Sequence, residues 1–186
     1  DYLGLASDPR LAKAAADAVF RFGSGSGASR LVGGTTSLHA DLEKALAELK
    51  STEGSLVYAS GYQANLGVLS GLMGKDDVIF SDELNHASLI DGCRLSRARV
   101  LVYRHLDVDH LEQLLTTTST NGQRLVVTET VFSMDGDVVP LRELVTVANR
   151  RDAWIMVDEA HATGVFGNRG GGVAQEMGLT KEIDIQ

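Results

Sequence analysis

Short apolar runs alternating with helix-period segments over most of the chain predict an α/β fold, a mostly parallel sheet with helices on both faces. The run at 153–157, Ala-Trp-Ile-Met-Val, is continuously apolar, as a strand buried on both faces is. It ends abruptly in Asp158, Glu159 and His161, and open α/β sheets bind ligands where strands reach their carboxyl edge.

The elements follow in order. A helix is expected over 9–22, with Asp8 as its cap and Pro9 at the first helical position, where the missing N–H is no loss. Residues 23–34 form a glycine-rich loop that resembles a dinucleotide fingerprint only superficially, because it follows a helix rather than a strand. A second helix over 37–50 spaces Leu38, Leu42, Leu46 and Leu49 as a buried stripe. Strands are then expected at 56–59, 78–80, 100–103 and 125–131, separated by helical patterns at 63–73, 87–95 and 108–115. Pro140 opens a helix to about residue 150, and the strand at 153–157 follows. Residues 1–36 are read as an N-terminal segment with its loop, and 37–186 as part of a larger domain.

Composition removes several classes of function. The chain has 186 residues, 44% of them hydrophobic, enough for one core of a soluble protein. A formal charge of −8 argues against nucleic acid, which needs clustered Lys and Arg. The local group Arg94, Arg97, Arg99 and Arg104 lies among Asp91, Asp107 and Asp109 and reads as a solvated face. A single cysteine, Cys93, leaves no internal disulfide or multi-cysteine metal site. With no apolar run of membrane-spanning length, a cytoplasmic setting without a membrane partner is expected.

The chemistry gathers at the expected strand ends. Ser60-Gly61-Tyr62-Gln63-Ala64-Asn65 opens a helix, where backbone N–H groups and the helix dipole suit a phosphate. Asn85-His86-Ala87-Ser88 begins another helix, and the stretch from Thr128 to Asp137 leaves a third strand. Asp158 needs a positive partner, since a buried carboxylate alone is costly. The Mg²⁺ of a nucleotide hydrolase is one option, because Asp-Glu-Ala-His also occurs in helicases. That requires a phosphate loop, yet the only Gly-Lys, Gly74-Lys75, is followed by Asp76 and preceded by Leu69 where the first glycine belongs. The other option is the protonated ring nitrogen of pyridoxal 5'-phosphate.

These motifs, in this order, resemble the α-oxoamine synthases, pyridoxal-phosphate enzymes of fold type I. The resemblance covers the whole chain: Tyr2-Leu3-Gly4-Leu5, Gly-Ala-Ser-Arg-Leu-Val at 27–32, Ala-Ser-Gly-Tyr-Gln-Ala-Asn at 59–65 and Asn-His-Ala-Ser at 85–88. It continues through Thr-Glu-Thr-Val-Phe-Ser-Met-Asp-Gly-Asp at 128–137 and Val-Asp-Glu-Ala-His-Ala-Thr-Gly at 157–164. It implies that Asp158 holds the pyridinium nitrogen, that His161 and Ser133 lie by the ring's phenolic oxygen, and that His86 stacks on the ring. Gly61 and Tyr62 would offer N–H groups to the phosphate. Glu129 matches a family position without an assigned role. His39, His105 and His110 are read as surface or structural residues.

The resemblance is strongest toward the biotin-pathway branch, through Ser29-Arg30-Leu31-Val32 and Val131-Phe132-Ser133-Met134-Asp135-Gly136. That branch implies small-molecule substrates, L-alanine and a pimeloyl thioester. Sister activities would take glycine with acetyl-CoA or succinyl-CoA, or serine with a long acyl-CoA, and a non-catalytic partner subunit is a further reading. Family members are homodimers with the site at the subunit interface, and the loop at 23–34 would contribute to that interface or to substrate binding. The family's lysine, which carries the cofactor and moves the substrate's α-proton, is expected past the strand that Ile183-Asp184-Ile185 begins. Lys13, Lys44, Lys50, Lys75 and Lys181 stand in the wrong context, mostly in exposed helical patterns or turns. The chain reads as a fragment, truncated before that lysine and the C-terminal domain, and is expected to be inactive alone, with apolar surface exposed.

Overall fold

The computed structural model describes all 186 residues. The chain divides into two compact units, residues 1–48 with 53–57, and residues 49–52 with 58–186.

The first unit carries helix α1 (Pro9–Phe22) and most of α2 (Ser37–Lys50). Asp8 caps α1 by accepting from the Arg10 N–H, with Pro9 at the start, as the sequence predicts. Between the helices the Ser29 carbonyl accepts from the N–H groups of Val32, Gly33 and Gly34, winding Arg30–Gly34 into one wide turn. Two expectations fail here. Residues 56–59 form no strand, because side chains satisfy the backbone in place of a ladder: Val57 donates to Glu43 Oε1 and its carbonyl accepts from Arg30. None of Leu38, Leu42, Leu46 and Leu49 is buried. Periodicity marks which face is apolar but not what covers it, and this unit holds no sheet to do so.

The second unit contains the sheet. Strands β1 (Val78–Asp82), β2 (Arg99–Tyr103), β3 (Arg124–Glu129) and β4 (Trp154–Asp158) are all parallel, in the order β2-β1-β3-β4. Helices α3 (Gly61–Leu72), α4 (Ala87–Ser96), α5 (Val108–Thr117), α6 (Leu141–Arg150) and the short α7 (Val173–Glu176) surround it. Pro140 caps α6 rather than occupying its first turn. Within the apolar strands, successive side chains alternate faces. Ile79, Leu125, Val127 and Met156 pack with Leu69 and Met73 of the α3 region and with Leu89 and Cys93 of α4. Phe80, Val126, Ile155 and Val157 pack with Leu111 and Leu115 of α5 and with Leu141 and Leu144 of α6. Covering both faces this way explains why the strands read as continuous apolar runs. A parallel bridge from Ile185 to Met156 extends the pairing beyond β4, where the sequence suggested a strand beginning.

The registers bring the strand ends level: Asp82 lies opposite Tyr103, and Glu129 opposite Asp158. Asp82, Glu129 and Asp158 therefore reach the same carboxyl edge of the sheet.

Candidate active site

Asp158 is the last residue of β4. Its Oδ1 accepts from the Ala160 N–H at 2.9 Å and its Oδ2 from Asn65 Nδ2 at 2.7 Å. Asn65 is buried on α3 and donates as well to Ser88 Oγ, at 2.9 Å. Ser88 in turn lies 2.7 Å from His86 Nδ1, and the Ser88 N–H also points at that nitrogen. Nδ1 is thus an acceptor, so the network assigns the neutral ring's proton to Nε2. A single hydrogen-bonded chain joins β4, α3 and the start of α4.

Glu129 anchors the chain from below. Its Oε1 accepts from the His86 N–H at 2.7 Å, and its Oε2 lies 3.9 Å from His161 Nε2, beyond hydrogen-bond reach. Burial pushes its carboxyl above the ordinary range and the Asp158 charge adds to this, against the lowering by the His86 N–H. Asn85 locks the same corner, donating to Ser81 Oγ and the Val127 carbonyl and accepting from the Glu129 N–H.

The helix α3 begins under Ser60, whose hydroxyl accepts from Gln63 N–H. The N–H groups of Gly61 and Tyr62 belong to the first turn, where a helix supplies no acceptor of its own. Gly61 is four residues before Asn65, so both lie on one helix face, about 6 Å apart along the axis. The Tyr62 hydroxyl donates to Asp91, which raises the phenol above its ordinary value.

The structure joins Asp158 and His86 in one hydrogen-bonded chain, with His161 beside it across Glu129 and Gly61 and Tyr62 opening the helix that bears Asn65. Ser133 is different. It is exposed in the turn after β3, between Val131 and its bridge partner Val138, at the rim of the edge. Asn65 and Ser88 lay inside quoted motifs, but nothing in their residue types marked them as the link.

Lys50 corrects the sequence reading. Its ammonium is not exposed but contacts Glu159 Oε2 at 2.6 Å, Thr163 Oγ1 at 2.8 Å and the Gly171 carbonyl at 3.0 Å. His105 is structural, as expected: Nδ1 meets Asp82 at 2.8 Å, Nε2 lies 3.3 Å from Asp137, and the ring stands edge-on to Phe132.

Open α/β sheets bind small molecules at the carboxyl edge of their strands, the edge at which Glu129 and Asp158 end β3 and β4. Residues 1–185 match the family described as aminotransferase class I and II, and the chain belongs to that family. Among curated relatives, an 8-amino-7-oxononanoate synthase of Anaeromyxobacter sp. is 55% identical over 185 residues, covering 100% of this chain and 46% of the relative. One from Geobacter sulfurreducens is 53% identical over 186 residues, covering 100% of this chain and 48% of the relative. The chain spans about half the length of the curated relatives it matches. Similar solved structures are α-oxoamine synthases. A serine palmitoyltransferase from S. paucimobilis with bound PLP and myriocin aligns at TM-score 0.94 and 41% identity, over 97% of this chain and 46% of that one. An 8-amino-7-oxononanoate synthase from Francisella tularensis aligns at TM-score 0.78 and 31% identity, over 95% of this chain and 48% of that one.

Proposed function

We propose that the natural protein is a pyridoxal-phosphate-dependent acyltransferase that condenses L-alanine with a pimeloyl thioester, releasing CO₂ and the free thiol, to give 8-amino-7-oxononanoate. The observation that carries the reading is Asp158. It ends a buried strand, is fixed by Asn65 and the Ala160 N–H, and pairs with no lysine or arginine. A carboxylate so oriented fits a cationic ring nitrogen, whose proton it would hold. The cofactor, when bound, supplies an electron sink that lets the amino acid's α-carbon act as a nucleophile.

The chain's own residues do the holding. His86, fixed through Ser88 and through Glu129, would limit tilt of the ring, and the first N–H groups of α3 would take the phosphate. His161 and Ser133 would serve the phenolic oxygen. The reading also requires a lysine that carries the cofactor and moves the α-proton.

The relatives named 8-amino-7-oxononanoate synthase support the biotin-pathway substrates. A second reading is favoured by a specific observation: the serine palmitoyltransferase backbone superposes more closely than that of the Francisella enzyme. Purified natural protein with the cofactor, offered L-alanine and pimeloyl thioester beside L-serine and palmitoyl-CoA, decides between them. Product from the first pair alone supports the proposal, and product from the second alone replaces it. Absence of product from both, with glycine and short acyl-CoAs also inert, points to a non-catalytic partner subunit.

A further inference from the structure

The least expected feature of the second unit is a charge cluster behind the site. Glu159 directly follows Asp158, and its side chain is 2% exposed. One oxygen accepts from Lys50 Nζ at 2.6 Å and the other from the Ala174 N–H at 3.0 Å. Lys50, 14% exposed in its side chain, gives its remaining protons to Thr163 Oγ1 and to the Gly171 carbonyl. All three ammonium donors are matched, the condition under which a buried charge is tolerated. Gly172 permits the approach: at φ +103 it adopts a conformation that side chains avoid, and a Cβ there would fall 2.2 Å from Glu159 Oε2.

The cluster clamps both ends of one short turn. Glu159 is its second residue, Thr163 its last, and His161 lies midway. The Ala162 and Thr163 N–H groups close back onto the Glu159 carbonyl at 2.9 and 2.8 Å. With Glu159 and Thr163 both tied to one ammonium, the turn has little freedom to rotate. The same turn carries the Ala160 N–H that holds Asp158 Oδ1, and it carries His161.

We propose that Lys50 and Glu159 are positioning residues for the cofactor site, a buried latch that fixes the Asp158–Thr163 turn without touching the ligand. The latch rests on the pyridoxal-phosphate reading of that turn. Loosening it misaligns the two side chains, and a displacement of about 1 Å in such a group is enough for effects of up to about a hundredfold.

The test uses the natural protein and its Lys50→Met, Lys50→Arg, Glu159→Gln and Thr163→Val variants, stripped of cofactor and titrated with pyridoxal 5'-phosphate. Three readouts are taken: dissociation constant, pH profile of the bound cofactor's absorption band, and unfolding midpoint without cofactor. Lys50→Met is expected to weaken binding by about tenfold or more and to shift the pH profile. Lys50→Arg is expected to recover most of the loss, and Thr163→Val to lose only a few-fold. Should Lys50→Met fail to fold, Glu159→Gln, which keeps the shape and the Ala174 bond, carries the same expectation. A lowered midpoint with unchanged affinity and pH profile in the soluble variants overturns the latch and makes the pair purely structural. Wild-type protein that binds no cofactor overturns both the latch and the function it rests on, whereas normal wild-type binding with indifferent variants removes the latch alone.

Discussion

Asp158 shows how much a single position can reveal and conceal. An acid ending an apolar strand was legible as chemistry from the sequence, and the structure places it at the carboxyl edge. Its orientation was not legible, because Asn65 is 93 residues away and reads as an ordinary helix polar residue. Lys50 is the same lesson reversed: a helix-end lysine looks solvated until its buried acceptors are known. Replacement of Asp158 by Asn keeps the shape and removes the charge. In the natural protein, turnover is expected to fall by about tenfold for each pKa unit by which the ring nitrogen loses protonation, with about 1–3 units at stake. Steady-state kinetics across pH checks this; unchanged turnover at neutral pH would withdraw Asp158 from its role.

At the scale of elements, helices α3 to α6 and strands β1 to β4 were readable because hydrophobic period and caps agree there, whereas the short α7 was not foreseen. The failures lie where side chains compete with the ladder, as Glu43 and Arg30 do around Val57. The α3–α4 contact positions Asn65, and glycine makes it possible. A Cβ at Gly92 would meet Leu69 Cδ1 at 2.7 Å and the Asn65 carbonyl at 2.9 Å, whereas Gly71 on α3 has nothing within 4 Å. Gly71→Ala is expected to gain up to about 1 kcal/mol from helix propensity. Gly92→Ala makes the same gain but overpacks by about 1–3 kcal/mol, a net loss of up to about 2 kcal/mol. Urea unfolding of both variants measures the difference, and equal stabilisation of the two would deny the close packing.

The whole molecule has an uneven distribution of cover. The sheet unit buries its core, while in the first unit Phe20 is 92% and Leu31 101% exposed. The sequence stripe announced apolar faces there and could not supply their partner. Phe20→Ser with Leu31→Ser is expected to raise the concentration at which this chain stays in solution, with unfolding free energy changed by no more than about 0.5 kcal/mol. Light scattering against concentration checks it. A second global property is pH dependence. His105 ties the ends of β1 and β2 to the turn after β3 through Asp82 and Asp137. Burial works to lower its pKa, but the two carboxylates outweigh it and the net shift is upward. A raised folded value stabilises fully below the ordinary value of about 6.5 and loses that contribution as pH rises through the folded one. Unfolding free energy should therefore decline as pH rises above about 6.5, and His105→Gln should flatten that decline.

The bond from Asn65 to Asp158 also bears on how the protein comes into being. It closes a loop of 93 residues, and β3 must slot between β1 and β4 before the strand that ends in Asp158 has a neighbour. Distant pairings of this kind form late, after local helices have appeared. On the ribosome, α3 and β1 emerge well before β4, so Asp158 reaches Asn65 only once the rest of the edge stands assembled. Ligand capture is consequently a reward of finished folding and cannot serve as its seed.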